Sequence, residues 1–139
     1  MEHQPLRVSA IHDLSGFGRC SLAVIMPVLS TMGVQVVPVP TAILSTHTGG
    51  MGDVVLHDLT DYIAPTLEHY RRLDIGFNCI YSGFLSSREQ IGLCKRFFDA
   101  CPDALIVVDP VMGDHGKAYR TCTPDICRGM GELVAAADI

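Results

Sequence analysis

The sequence predicts an α/β protein, three layers deep (α/β/α), around a mostly parallel central sheet. Two observations carry this. Short apolar runs alternate with amphipathic stretches of helical length along the whole chain, the pattern of repeated strand–helix–strand units. The clearest of the strand-like runs, residues 104–108, is apolar throughout instead of alternating, as expected where both faces of a sheet are covered.

Residues 6–11 form the first β-type run, and the polar stretch His12-Asp13-Leu14-Ser15-Gly16-Phe17-Gly18 reads as the turn that ends it. Residues 20–32 have helical spacing, with Leu22, Val24, Ile25, Val28, Leu29 and Met32 apolar and Gly33 as a stop. Pro27 inside this run implies a kink or a later start. Residues 34–44 are the second extended run, in which Pro38 and Pro40 cannot donate to a ladder. A polar, glycine-rich loop follows at 45–53. Residues 56–73 read as one helix, with Leu59, Tyr62, Ile63, Leu67 and Tyr70 on one side and a bend at Pro65. The third strand is 77–82, the next helix 86–100, and the fourth strand 104–108. Residues 113–121 read as a loop and 124–137 as a last helix, with Asp125 suited to its first turn.

Composition narrows the function classes. Apolar residues make up 48% of the 139 residues, enough for a core. The net charge of −5 and the lack of a basic stripe argue against nucleic acid as a partner. An anionic ligand would need backbone amides and a metal for much of its charge compensation. No apolar run approaches the ~20 residues of a membrane span. The opening residues 1–5 are polar and do not resemble a signal peptide. The six cysteines include no C-x-x-C pair, so a zinc site is weakly supported. They are read as reduced and mostly structural, which points to a cytoplasmic protein.

In doubly wound folds, ligands bind at the carboxyl ends of the strands, and polar segments follow Ile11, Leu44, Ser82 and Val108. The first, from His12 to Ser21, sits between strand and helix, where glycines admit a ligand to free backbone amides. Its third glycine is replaced by Ser21, so it is not a dinucleotide fingerprint. The plainer reading is a tight turn in which Asp13 or Ser15 caps the helix. The second, Ser45-Thr46-His47-Thr48-Gly49-Gly50-Met51-Gly52, can cradle a small polar molecule or be a connector with one solvated histidine. In the third, Asp109 stands at the mouth of a buried strand. A carboxylate is costly there without a partner, and a metal bridging phosphates is a natural one; otherwise it caps the next loop. Gly116-Lys117 fails the phosphate-loop pattern, because Ala118 follows the lysine.

Taken together, four segments resemble the pyridoxal/pyridoxamine (vitamin B6) kinases of the ribokinase-like superfamily. They are His12–Ser21, Pro40-Thr41-Ala42-Ile43-Leu44-Ser45-Thr46-His47-Thr48-Gly49-Gly50, Ile80-Tyr81-Ser82-Gly83-Phe84-Leu85 and Asp109-Pro110-Val111-Met112-Gly113-Asp114. The last is shared with hydroxymethylpyrimidine kinases; the Ser-Thr-His-Thr-Gly-Gly run is the more specific. The resemblance implies transfer of the ATP γ-phosphoryl to the 5′-hydroxyl of a B6 vitamer, with Mg²⁺ and a monovalent cation as further candidates. By motif position, His47 and Thr48 would border the pyridine ring and Phe84 would stack on it. Asp13 or Ser15 would take the place of a family serine that touches the ring, where this chain has Ile11. Asp109 would sit by the ATP phosphates and the metal. Gly113 and Tyr119 belong to a segment resembling a flap over nucleotide and substrate.

The same resemblance makes residues 1–139 the N-terminal part of a single ribokinase-like kinase domain. The family's Asn-x-x-Glu motif and the Gly-x-Gly-Asp anion hole with the catalytic base have no counterpart here, so no residue of this chain is assigned as catalytic. The 139 residues alone are expected to be inactive, and the intact protein to be a homodimer. Two alternatives stand beside this reading: half of a hydroxymethylpyrimidine (phosphate) kinase, and a non-catalytic vitamer-binding or dimerising module.

Overall fold

A computed structural model describes residues 5–139; of the polar opening segment, residues 1–4 lie outside the described residues. The first strand, β1 (Arg7–Phe17), does not stop at Ile11. His12, Asp13 and Ser15 are buried, and the strand pairs with the second strand, β2 (Gln35–Thr46), on either side of Asp13, as far as Phe17 opposite Thr46. The expected turn is therefore strand. Ladder bonds from β2 and mutual hydrogen bonding of the polar side chains outweigh the turn preference of the sequence.

Between them lies α1 (Leu22–Thr31), with Pro27 inside it. Neither Asp13 nor Ser15 caps this helix; Ser21 occupies the cap position and makes no side-chain capping bond. Pro38 and Pro40 stand within β2 without ending it. The Gln35 N–H donates to Leu6 O on the β1 side. By the two-residue alternation of a strand, positions 38 and 40 therefore direct their nitrogens to the open edge, where no donor is required. The register slips between His12 and Leu14, so the two strands are locally out of step at the segment that carries Asp13.

Residues 56–73 are not one helix. Leu56–Asp58 is a short antiparallel strand, β3, pairing with residues 42–44, and the helix α2 begins at Thr60 and runs to Arg72. An edge strand this short carries too few residues to display a period of its own. Next come β4 (Cys79–Ser82), α3 (Arg88–Ala100) capped by Ser87, β5 (Leu105–Val108), a small hairpin of β6 (Gly113–Asp114) and β7 (Lys117–Ala118), and α4 (Pro124–Val134). The segment expected as a plain loop thus holds a hairpin. The last helix ends at Val134, not Ala137, and the Asp138 N–H and Ile139 O bond to the outer edge of β5 at Ile106 and Val108.

The main sheet has the order β3-β2-β1-β4-β5, all parallel except β3. Ile11, Val39, Ile80, Ile106 and Val108 face a core completed by Ile63 of α2, the α3 residues Leu93, Cys94 and Phe97, and Ile126, Met130 and Leu133 of α4. Ala10 points the other way by alternation and is fully buried, as is Leu22 of α1, which packs on β1 and β2. Helices therefore cover both faces. The chain leaves β1 toward β2 and later returns to β1's other side as β4, so the crossovers diverge there. This divergence opens a crevice above the carboxyl end of β1.

Candidate functional site

A cleft of about 970 Å³ occupies that crevice. Asp13 and Ser15 reach it from the end of β1, His47 and Thr48 from the loop after β2, Phe84 from the loop after β4, and Tyr119 from behind the β6–β7 hairpin. Six of the residues singled out in the sequence thus line one cavity. Asp109 and Gly113 do not line it, although Val111 and Asp114 beside them do. A second cavity of about 530 Å³ lies at the amino ends of β4 and β5, walled by Leu67, Tyr70, Phe77 and Phe97, and holds none of these residues.

Asp13 is the buried carboxylate of the site, 5% exposed. His12 Nδ1 lies 2.8 Å from its Oδ1, and the Ser15 hydroxyl donates to its Oδ2 at 2.9 Å. Nδ1 is also 3.0 Å from the Asp13 N–H. One ring nitrogen cannot serve both as donor and as acceptor here. The shorter, charge-assisted contact assigns the proton to Nδ1. Burial by itself would raise the Asp13 carboxyl, but the hydrogen bonds from His12, Ser21 and Ser15 together with the His12 charge outweigh it and hold the group below its ordinary value. Asp13 is thus an ionised acceptor at neutral pH.

The His12 ring owes its place to Gly83. A Cβ at Gly83 would overlap the ring carbons and Nε2, and the Gly83 N–H is tied to Ile11 O at 2.9 Å, so the loop cannot retreat freely. Gly18 does the same for His47: at φ +139° it adopts backbone that favours glycine, and a Cβ there would stand 2.8 Å from His47 Cδ2. The His47 Nδ1 accepts from the Gly49 N–H at 3.2 Å, which orients the ring within the loop.

Phe84, 6% exposed, forms an apolar wall with Ala42, Leu44 and the flanking Val54 and Val111. Its backbone is fixed from beneath. The Thr41 hydroxyl donates to Phe84 O at 2.9 Å. Gln90, fully buried on α3, donates to Thr41 O and to the Thr60 hydroxyl, each at 2.9 Å, and accepts from the Ser86 N–H at 2.9 Å. Ser86 in turn hydrogen-bonds Asp58. This network joins β2, α2, α3 and the Phe84 loop.

Asp109 departs from expectation. It is exposed, so the cost of burying a charge places no demand for a partner on it. The Tyr81 hydroxyl approaches Asp109 Oδ2 only to 3.5 Å, the outer limit of a hydrogen bond. Asp109 nevertheless stands at the carboxyl ends of β4 and β5, following Val108 directly and donating its N–H to Ser82 O at 2.8 Å. Burial first, and then nearby acidic groups, Asp114 foremost, push the Tyr119 phenol above its ordinary value. A single exposed carboxylate suits Mg²⁺, which takes one or two carboxylates and completes its shell with water and phosphate oxygens. Among the described residues, no three His, Cys, Asp or Glu side chains gather around one point. Gly113 acts within the hairpin: a Cβ there would overlap Lys117 O across the β6–β7 pair.

The sequence reading weighs Lys117 only as a phosphate-loop lysine, a pattern it fails, and does not single out Arg19; both line the cleft and bring positive charge to it despite the acidic chain. It also passed over His12 as the partner of Asp13 and over the Gln90 network. The only signals for Arg19 and Lys117 were their places inside the two segments already singled out. Among the described residues, no helix is long and apolar enough to cross a membrane.

No protein-family model matches the chain. Solved structures do. A phosphomethylpyrimidine kinase-like protein from Bacteroides thetaiotaomicron, crystallised with pyridoxal, is 41% identical with a TM-score of 0.93, over 97% of this chain and 48% of its own. Pyridoxal kinase from Lactobacillus plantarum is 32% identical with a TM-score of 0.85, over 94% of this chain and 46% of its own. Pyridoxal kinase from Leishmania donovani, in complex with ADP and pyridoxamine, shares the fold at 22% identity and a TM-score of 0.83. The chain spans about half the length of these relatives.

Proposed function

We propose, starting from a chain that has the ribokinase-like fold of the pyridoxal kinases, that it supplies the vitamin-facing side of an ATP-dependent kinase acting on the 5′-hydroxyl of pyridoxal, pyridoxamine or pyridoxine. The observation that carries this is the convergence of Asp13, Ser15, His47, Thr48 and Phe84 on one cleft. It occurs in a chain 41% identical to a protein crystallised with pyridoxal.

In this reading Phe84, Leu44 and Val111 form the apolar side against which a pyridine ring lies. The ionised Asp13 accepts a hydrogen bond from the polar edge of the ring, with Ser15 holding the carboxylate in orientation. His47 and Thr48 close the opposite edge. Tyr119 and the β6–β7 hairpin cover the cleft and exclude water. Arg19 and Lys117 offset phosphate charge near the rim. Asp109 would hold Mg²⁺, which would supply positive charge to the nucleotide phosphates. The contribution of these residues to phosphoryl transfer is therefore positioning. No described residue is assigned as general base, and residues 1–139 alone are expected to bind a vitamer without turning it over. The intact protein is expected to be cytoplasmic and homodimeric.

Calorimetric titration of the chain with pyridoxal and, separately, with 4-amino-5-hydroxymethyl-2-methylpyrimidine tests the substrate class. Pyridoxal should give a saturable heat that Phe84→Ala and Thr48→Ala weaken at least tenfold. Tighter binding of the pyrimidine would move the assignment to the pyrimidine kinases, and no heat from either at millimolar ligand would sink the site. An ATP-dependent phosphorylation assay on residues 1–139 should show no product; clear turnover would refute the assignment of a positioning role alone.

A further inference from the structure

Cys122 and Cys127 take no part in the cleft or the core. The Thr123 hydroxyl caps α4, accepting from the Ile126 N–H at 3.3 Å. Cys122 is thus the residue before the cap and Cys127 the fourth of the helix. At these two positions apolar side chains ordinarily pack together and set the angle at which the chain enters a helix. Here both are thiols, and their sulfurs lie 2.6 Å apart. All six cysteines are free; Cys127 is exposed and Cys122 half-buried. Either sulfur could donate to the other; hydrogen bonding to Cys127, with burial second, pushes the Cys122 thiol up to about 11. The Cys122 N–H also donates to Tyr119 O at 2.9 Å, so the pair sits one turn from a residue that lines the cleft.

We propose that Cys122 and Cys127 are a reversible redox pair, which a low-molecular-weight disulfide converts to an internal disulfide stapling the Tyr119 segment to the first turn of α4. The Cys127 thiolate attacks one sulfur of the oxidant, forming a mixed disulfide and expelling one thiolate. Cys122 then gives its proton to solvent and attacks the Cys127 sulfur, expelling the second thiolate. The two protein thiols are oxidised by two electrons, and the oxidant leaves as two thiols. The capped helix holds the sulfurs together beforehand, so the second step is intramolecular and outpaces accumulation of the mixed disulfide.

The test uses oxidised glutathione on the chain, followed by alkylation of remaining thiols, tryptic digestion and mass mapping. Cys122 and Cys127 fall in one peptide, residues 121–128, between Arg120 and Arg128. That peptide should be recovered unalkylated and lighter by two hydrogens, and dithiothreitol should restore double alkylation. Cys94, fully buried, should remain a thiol throughout. In C127S the lighter peptide should be absent. Double alkylation of the peptide after oxidation would overturn the proposal, and so would a stable glutathione adduct on Cys127 with Cys122 still alkylated.

Discussion

Gly83→Ala tests how the site is built, because the glycine does its work on a neighbour. The added methyl would overlap the imidazole of His12. The loop is held in place by the Gly83 N–H bond to Ile11 O and by the Thr41 bond to Phe84 O, so the ring is the part that yields. Overpacking of this kind costs about 1–3 kcal/mol. If the ring swings away, Asp13 loses its 2.8 Å partner while remaining 5% exposed. A hydrogen bond to a buried charge contributes about 1.5–3 kcal/mol. These are alternative ways of accommodating one methyl, so the expected loss is about 2–3 kcal/mol and not their sum. The assay is a double-mutant cycle by urea denaturation. In a His12→Ala background the clash has no partner, and Gly83→Ala should cost less than about 0.5 kcal/mol. Equal costs in both backgrounds would show that His12 is not what the methyl meets.

Two further outcomes follow from the same geometry. Asp13 has its carboxyl lowered in the folded state, so its contribution to stability is full above the unfolded value of about 3.9 and is lost as pH falls through the folded one. Urea midpoints of the wild-type chain should therefore drop more steeply than those of Asp13→Asn on going from pH 5 toward the acid limit, and superimposable acid limbs would refute the ionised assignment. Gln90→Leu removes three hydrogen bonds, to Thr41 O, the Thr60 hydroxyl and the Ser86 N–H, although Thr41 O keeps the Leu59 N–H at 3.0 Å. The expected loss is about 2–4 kcal/mol, with pyridoxal affinity falling alongside as Phe84 loosens; an unchanged denaturation midpoint would show that the network carries no stability.

What the sequence disclosed and what it withheld divide along a physical line. Residues 104–108 are apolar throughout and bounded by polar residues, so local pattern alone marks the strand that became β5. That the polar segments at the ends of β1, β2 and β4 would line one cleft was legible because a parallel sheet brings its carboxyl ends to one rim whatever the loops contain. What stayed hidden depends on partners distant in sequence. His12 to Phe17 has the composition of a turn and is a strand only because β2 lies beside it. Leu56–Asp58 becomes a strand only against residues 42–44. Gln90 stands in an amphipathic helix where a glutamine reads as solvent-facing, yet it is fully buried because Thr41, Thr60 and Ser86 satisfy it across three other segments. Asp109 errs in the opposite sense: at the mouth of a buried strand a carboxylate reads as needing a partner, but beyond Val108, where β5 ends, it is exposed. Charge burial is a property of the assembled rim, and at this rim Asp13 is the carboxylate enclosed by the fold while Asp109 remains exposed.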